Sequence, residues 1–233
     1  MSQKYHLLIY LTTVDKLNLI CTSENMSTIK PYIIGIAGGS ASGKTTLIRR
    51  LNKLYKPGEI CVISQDHYYK PLSEQVVDEN GEINFDLPEG IDFGRLVKDI
   101  RKLKKGQDVK IVEYTFNNPN VFPKQITFKA SPIIVIEGLF IYTDPKLDAL
   151  FDLKLYVEAS LDVMLKRRLT RDAEERGMTQ KQIEYQWNEH VLPAYKRYLL
   201  PYRDNVDLII VNNTHFDRSF DVLRNHLNVL LNP

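Results

Sequence analysis

Tyr32-Ile33-Ile34-Gly35-Ile36-Ala37-Gly38-Gly39-Ser40-Ala41-Ser42-Gly43-Lys44-Thr45 is the stretch on which the fold turns. Its opening is almost wholly apolar and runs into glycines, which is how a strand buried in a parallel sheet reads. From Gly38 onward it fits G-x-x-x-x-G-K-[ST]. The glycines let successive backbone N–H groups turn inward around an anion. A helix opening near Lys44 adds the positive end of its dipole. The Lys44 ammonium can reach β- and γ-phosphates, and the Thr45 hydroxyl can ligate Mg²⁺. A strand before the loop and a helix after it separate a phosphate site from a chance glycine-rich turn. Residues Gly38 to Thr45, with Thr46, therefore read as the cradle of a nucleoside triphosphate. The cradle says nothing about the acceptor.

The same alternation continues downstream. A helix is predicted over Lys44–Leu54 and a second apolar strand over Ile60–Ser64. Residues 68–90 form a long polar excursion with Pro71, Gly81 and Pro88, and such excursions in compact domains are usually functional. Helical spacing returns over 92–105 and stops at Gly106. Residues 109–116 and 125–129 alternate like paired strands. Residues 133–136, 153–157 and 206–211 read as three more strands. Charged helices are predicted over Leu161–Arg176 and 179–199, and a closing helix over 219–231. Strands alternating with helices imply an α/β fold, a doubly wound parallel sheet covered on both faces, with 109–129 as a small β-hairpin.

Composition narrows the class. The chain has 233 residues, 43% hydrophobic and 26% charged, an ordinary folded balance. Thirty-one Lys and Arg against 29 Asp and Glu leave +2, so charge offers no reason to expect a nucleic-acid partner. No apolar run approaches the ~18–20 residues of a membrane helix. The cysteines, Cys21 and Cys61, make no disulfide framework, and a reducing cytoplasm is the expected location. Residues 1–25 carry two short apolar runs, only Lys4 as an early cation, and Cys21-Thr22-Ser23 in place of a good cleavage site, so they do not read as a secretory signal. Two readings stay open for this N-terminal extension. Either translation begins at Met26 and the domain is 26–233, or 1–25 adds a strand pair at the sheet edge.

In open parallel sheets, ligands bind at the carboxyl ends of strands. Asp66 follows the second strand, beside the phosphates, where a carboxylate can take a proton from an attacking hydroxyl or hold the metal through water. A turn cap is the plain alternative. His67 reads as a surface residue. Glu137 closes an apolar strand, so it must be solvated, paired or bound to metal, and it occupies the place of a Mg²⁺-binding acid. Arg168 and Arg171 share a helix face and could clamp phosphate oxygens. On charge pattern alone that helix reads as solvated, its arginines pairing with Asp172, Glu174 and Glu175.

Together the phosphate loop, Gln65-Asp66-His67-Tyr68-Tyr69, Asn84-Phe85-Asp86-Leu87-Pro88, Ile136-Glu137-Gly138 and the arginine helix through Glu175-Arg176-Gly177 resemble the uridine kinase (uridine–cytidine kinase) family of P-loop kinases, related to phosphoribulokinase. The resemblance implies transfer of phosphate from MgATP, or MgGTP, to the 5′-hydroxyl of uridine or cytidine. It implies that Asp66 is the catalytic base, with Lys44, Arg168 and Arg171 also catalytic, and that Thr45, Glu137 and Asp66 surround the metal. Asp86 would hold the ribose hydroxyls, and Tyr114 and Phe116 of the hairpin would cover the base. Tyr69, Arg168, Arg176 and Gln186 would face the substrate. A helical lid and a homo-oligomer are implied as well. Two positions depart from the pattern. Pro119 stands where a base-reading histidine is usual, and Met178 where a further arginine is usual. Asn118 or Asn120 could replace the missing donor. The departures leave open a kinase of the same architecture acting on a sugar phosphate or pantothenate-like alcohol. A regulator that binds nucleotide without catalysis is the other reading.

Overall fold

The computed structural model describes residues 30–116 and 122–232. The extension 1–25, the start at Met26, and Asn118, Pro119 and Asn120 lie outside them.

Seven strands are described: β1 (Tyr32–Gly38), β2 (Ile60–Ser64), β3 (Val109–Val112), β4 (Gln125–Phe128), β5 (Ile133–Glu137), β6 (Leu153–Glu158) and β7 (Leu208–Val211). Five form a parallel sheet in the order β2-β5-β1-β6-β7. The chain first winds to one side of β1 and then to the other, which opens a crevice at the carboxyl ends of the central strands. Register sets what meets there: Glu137 pairs with Ile36 on one side and with Ser64 on the other.

The apolar alternation of the central strands feeds two cores. Ile34 and Ile36 of β1, with Ile133 and Val135 of β5, face α1 (Lys44–Leu54) and the last helix. Leu47 and Leu51 from α1, and Phe220, Leu223 and Leu227 from Asp217–Leu231, close that layer. Ile33, Ala37, Ile134 and Ile136 face the other way, onto Leu96, Ile100 and Leu103 of α2 (Phe93–Leu103). Each fully buried aliphatic side chain contributes roughly 1.5–3 kcal/mol. The antiparallel pair β3–β4 places Val109 opposite Phe128 and Ile111 opposite Ile126, and buries Val109, Ile111 and Phe128 in this second core. The hairpin is thereby anchored at its base.

A short α3 (Pro145–Asp148) precedes β6, and α4 (Leu161–Arg176) follows it. Gly177, at φ 64°, ends α4 in the left-handed conformation that favours glycine. The capping box of Thr179 and Gln182 then starts α5 (Gln180–Gln186). The helix predicted over 179–199 is not one regular α-helix. Wider π turns occupy Trp187–Val191 and Tyr195–Leu199, and helical structure runs on through Leu200–Arg203. Pro193 and Pro201 explain this. Each lacks an N–H and would crowd the carbonyl four residues earlier, and each of those carbonyls lies in one of the widened turns. α6 (Asp217–Leu231) closes the chain. Among the described residues no helix is long and apolar enough to cross a membrane.

Candidate active site

The loop from Gly38 to Lys44 bends sharply, with φ of 150° at Gly38, 61° at Ala41 and 113° at Gly43. Gly43 is required twice over: a Cβ there would lie 2.1 Å from Asn212 Nδ2. That amide donates to the Ser42 carbonyl at 2.7 Å and holds the loop from the far end of β7. No side chain caps α1 and no acid sits in its first turn, so its first N–H groups face the loop's interior available to an anion. Lys44 Nζ donates to the carbonyls of Gly38 at 2.8 Å and Gly39 at 3.2 Å. Burial lowers the Lys44 pKa, and Glu137 and Asp66 oppose that shift.

Ser64, paired with Glu137 across β2 and β5, donates its hydroxyl to Glu137 Oε1. Asp66 sits two residues on, in a tight turn (Gln65–Tyr68), and its N–H donates to Ser64 Oγ. Gln65 braces the turn by accepting from the Phe140 N–H at 2.9 Å. Burial raises the pKa of both Asp66 and Glu137. Lys44 pulls Asp66 back down, and Asp66 pushes Glu137 further up. Thr45, Asp66 and Glu137 thus offer oxygen donors on the wall of one cleft, a set that fits a hard cation such as Mg²⁺ with phosphate oxygens completing its shell.

That cleft measures about 1020 Å³ and joins nearly everything the sequence singled out. Lys44, Thr45 and Thr46 line it with Asp66, Tyr69, Asp86, Phe116, Glu137, Arg168, Arg171, Arg176 and Gln186. Burial also raises the Asp86 pKa, opposed by Arg168 and His190. Tyr69 donates to the Phe85 carbonyl at 2.8 Å, and its ring meets Phe85 and Phe116 at centroid distances of 5.5 and 5.2 Å. Phe116 holds φ 51° at the end of the described hairpin.

Some expectations change. Tyr114 packs its ring against Tyr69 and Phe116, and its hydroxyl is buried without a partner among the described residues. His67 is half-buried against Phe128 rather than a surface residue, and burial lowers its pKa. The arginine helix is not the solvated face that charge pattern alone suggests, because Arg168 and Asp172 are buried. Arg168 and Arg171 reach the cleft, and they also pair with Asp172, which is fully buried and takes Arg176 as well. Arg168 further donates to Ser40 Oγ at 2.9 Å and Gln186 Oε1 at 2.8 Å, tying the phosphate loop to α5. Met178 stands on the cleft wall.

Sequence reasoning missed Asn212, although the strand-end rule that found Asp66 and Glu137 would have found it one residue past β7. It also missed His190, on the cleft wall, and Asp78, which touches it at 2.7 Å across 112 residues of chain. No local signal joins those two.

The profile of the Phosphoribulokinase / Uridine kinase family matches residues 33–217, spanning the whole of this site. The chain belongs to that family. It is 35% identical over 199 residues to a uridine kinase of Borrelia duttonii, covering 85% of this chain and 95% of that one. The solved phosphoribulokinase of Rhodobacter spheroides shares the fold at a TM-score of 0.58 and 18% identity, over 79% of this chain and 71% of that one. A D-glycerate 3-kinase of Cryptococcus neoformans does so at 0.58 and 14%, over 87% and 92%. This family member therefore has the α/β architecture of the P-loop kinases. The same architecture is found in proteins named for different acceptor alcohols.

Proposed function

We propose that the protein transfers the γ-phosphoryl group of ATP to the 5′-hydroxyl of a pyrimidine nucleoside, uridine or cytidine, yielding the 5′-monophosphate and ADP. One observation carries this reading: a single cleft is walled by the phosphate loop, by Asp66 and by Asp86 with the aromatic rings of Tyr69 and Phe116. The triphosphate lies against the loop N–H groups and Lys44. Asp66 accepts the hydroxyl proton as the acceptor oxygen bonds to the γ-phosphorus and the bond to the β-γ bridging oxygen breaks. The Asp86 carboxylate can accept hydrogen bonds from two neighbouring ribose hydroxyls, and the aromatic rings cover a flat base. Arg168 and Arg171 offset charge on the transferred group. Thr45, Glu137 and Asp66 would hold Mg²⁺, which supplies charge neutralisation at the phosphates. Closure of the helical segment after α4 as a lid would exclude water, and a cytoplasmic location and homo-oligomeric assembly belong to the same reading.

A second reading is supported by Met178, an apolar side chain at a place where the resemblance expects a cation. In it the acceptor is another alcohol, such as a sugar phosphate or D-glycerate. ADP release measured with uridine, cytidine, ribulose 5-phosphate, pantothenate and D-glycerate decides between them. Turnover on the two nucleosides at least tenfold above the rest is expected. Turnover confined to another alcohol overturns the nucleoside assignment, and tight ATP binding with no transfer to any of them supports a regulator.

A further inference from the structure

His190 is 3% exposed yet belongs to the cleft wall, in the π turn that follows Gln186. Its Nε2 lies 2.7 Å from Asp78 Oδ2. That carboxylate also accepts from the Tyr185 hydroxyl at 2.6 Å and, through Oδ1, from the N–H groups of Asn80 and Glu82. These bonds, Tyr185's first, hold Asp78 well below the usual carboxylate range. A carboxylate can only accept, so in the neutral ring Nε2 carries the proton and Nδ1 keeps its lone pair. No described residue bonds to Nδ1. Gln186 is fixed by the converse logic. Arg168 can only donate, so the Gln186 oxygen faces it at 2.8 Å and the amide NH₂ is left to donate elsewhere.

The two side chains are four residues apart, on one face of the helix, and both line the cleft. Tyr185 braces the imidazole edge-on, with centroids 5.8 Å apart. Both side chains thus stand on the cleft wall, each held by a charged partner, with a donor left on Gln186 and an acceptor left on His190.

We propose that His190 Nδ1 and the Gln186 amide form the edge that reads the acceptor's base, with Asp78 as the residue that positions His190. The complement of this edge is an acceptor atom beside a donor hydrogen. Uracil offers a carbonyl beside its ring N–H, and cytosine offers a ring nitrogen beside its amino group. His190 thus supplies the polar reading that Pro119 and Met178 do not. The assignment rests on the nucleoside reading above and deepens it.

Steady-state kinetics with uridine, cytidine and 3-methyluridine, whose ring N–H is replaced, test it in the full-length enzyme, His190→Phe and His190→Gln. Losing a satisfied polar contact predicts that His190→Phe lowers kcat/KM for uridine by about 10- to 100-fold through the acceptor KM. The KM for ATP should stay within about twofold. His190→Gln, which keeps an acceptor atom, should recover part of the loss. The wild-type preference for uridine over 3-methyluridine should collapse toward unity in His190→Phe. If His190→Phe keeps both the wild-type kcat/KM and that preference, the assignment is overturned while the nucleoside reading stands. Should the variants not fold, equal wild-type turnover of uridine and 3-methyluridine overturns it. Absence of wild-type turnover on uridine and cytidine overturns the nucleoside reading itself.

Discussion

Arg168 Nε stands 3.1 Å from Asp172 Oδ2, and the two side chains are only 5% and 0% exposed. Asp172 also takes Arg171 at 2.8 Å and Arg176 at 3.4 Å. One buried acid thus gathers three cations that line the cleft. Removing one member of a buried ion pair leaves uncompensated charge and typically costs about 3–5 kcal/mol. Asp172→Asn should therefore lose several kcal/mol of stability in urea denaturation. It should also lower kcat at least tenfold, because Arg168 is no longer held toward Ser40 and Gln186. A variant with wild-type stability and kcat would show that the cluster neither holds the fold nor orders the arginines.

Asp66 presents the opposite case, in which function opposes stability. Its pKa is raised in the folded protein, so folding favours the protonated form and stability falls as pH rises from about 3.8 through the raised value. Near pH 7 the ionised carboxylate is then a small cost that an amide does not carry, small because Asp66 is exposed to solvent. Asp66→Asn should raise Tm only slightly, because the Asp66 side chain is solvent-exposed and its charge is screened, while lowering kcat by about 10²–10⁴. ATP affinity, measured calorimetrically, should change less than threefold. Equal losses in ATP binding and turnover would contradict its role as base.

The base role proposed for Asp66 also predicts the pH profile. The proposed base role requires Asp66 ionised, so kcat should fall as pH drops through a value above the ordinary 3.8. Asp86 raises that pKa by like charge, and Arg176 lowers it. Asp86→Asn should accordingly move the acid limb to lower pH, and Arg176→Gln should move it to higher pH. Shifts of the same sign in both variants would show that a different group controls the limb.

Gly43 tests the cradle. With φ at 113° and Asn212 Nδ2 2.1 Å from an added Cβ, alanine there is strained by both backbone and contact. Gly43→Ala should weaken ATP binding at least tenfold and leave the far-UV circular dichroism unchanged. Asn212→Ala, which removes the anchor to the Ser42 carbonyl, should weaken it in the same direction. Undiminished ATP affinity in both would separate the loop's shape from its function.

Where a single stretch of chain contains both the signal and the structure, reading it was enough. The run from Tyr32 to Leu54 forms a strand, loop and helix because apolar alternation, glycine and a helix start are all local. Asp66 and Glu137 were legible because strand ends in a parallel sheet share one edge. The regular helix expected over 179–199 failed at Pro193 and Pro201, whose accommodation by π turns depends on carbonyls four residues back. Tyr114 was placed over the base by resemblance, and its ring packs against Tyr69 and Phe116, which do line the cleft.

Local order along the chain determined the strands, the phosphate loop and the acids at the strand ends, because hydrophobic period and backbone freedom act over a few residues. Only the tertiary structure decided that Arg168 would reach Ser40, that Asn212 would hold Ser42, and that Asp78 would meet His190. Buried polar groups must find partners wherever the fold brings them, and partners more than a hundred residues away leave no mark in the spacing of either segment.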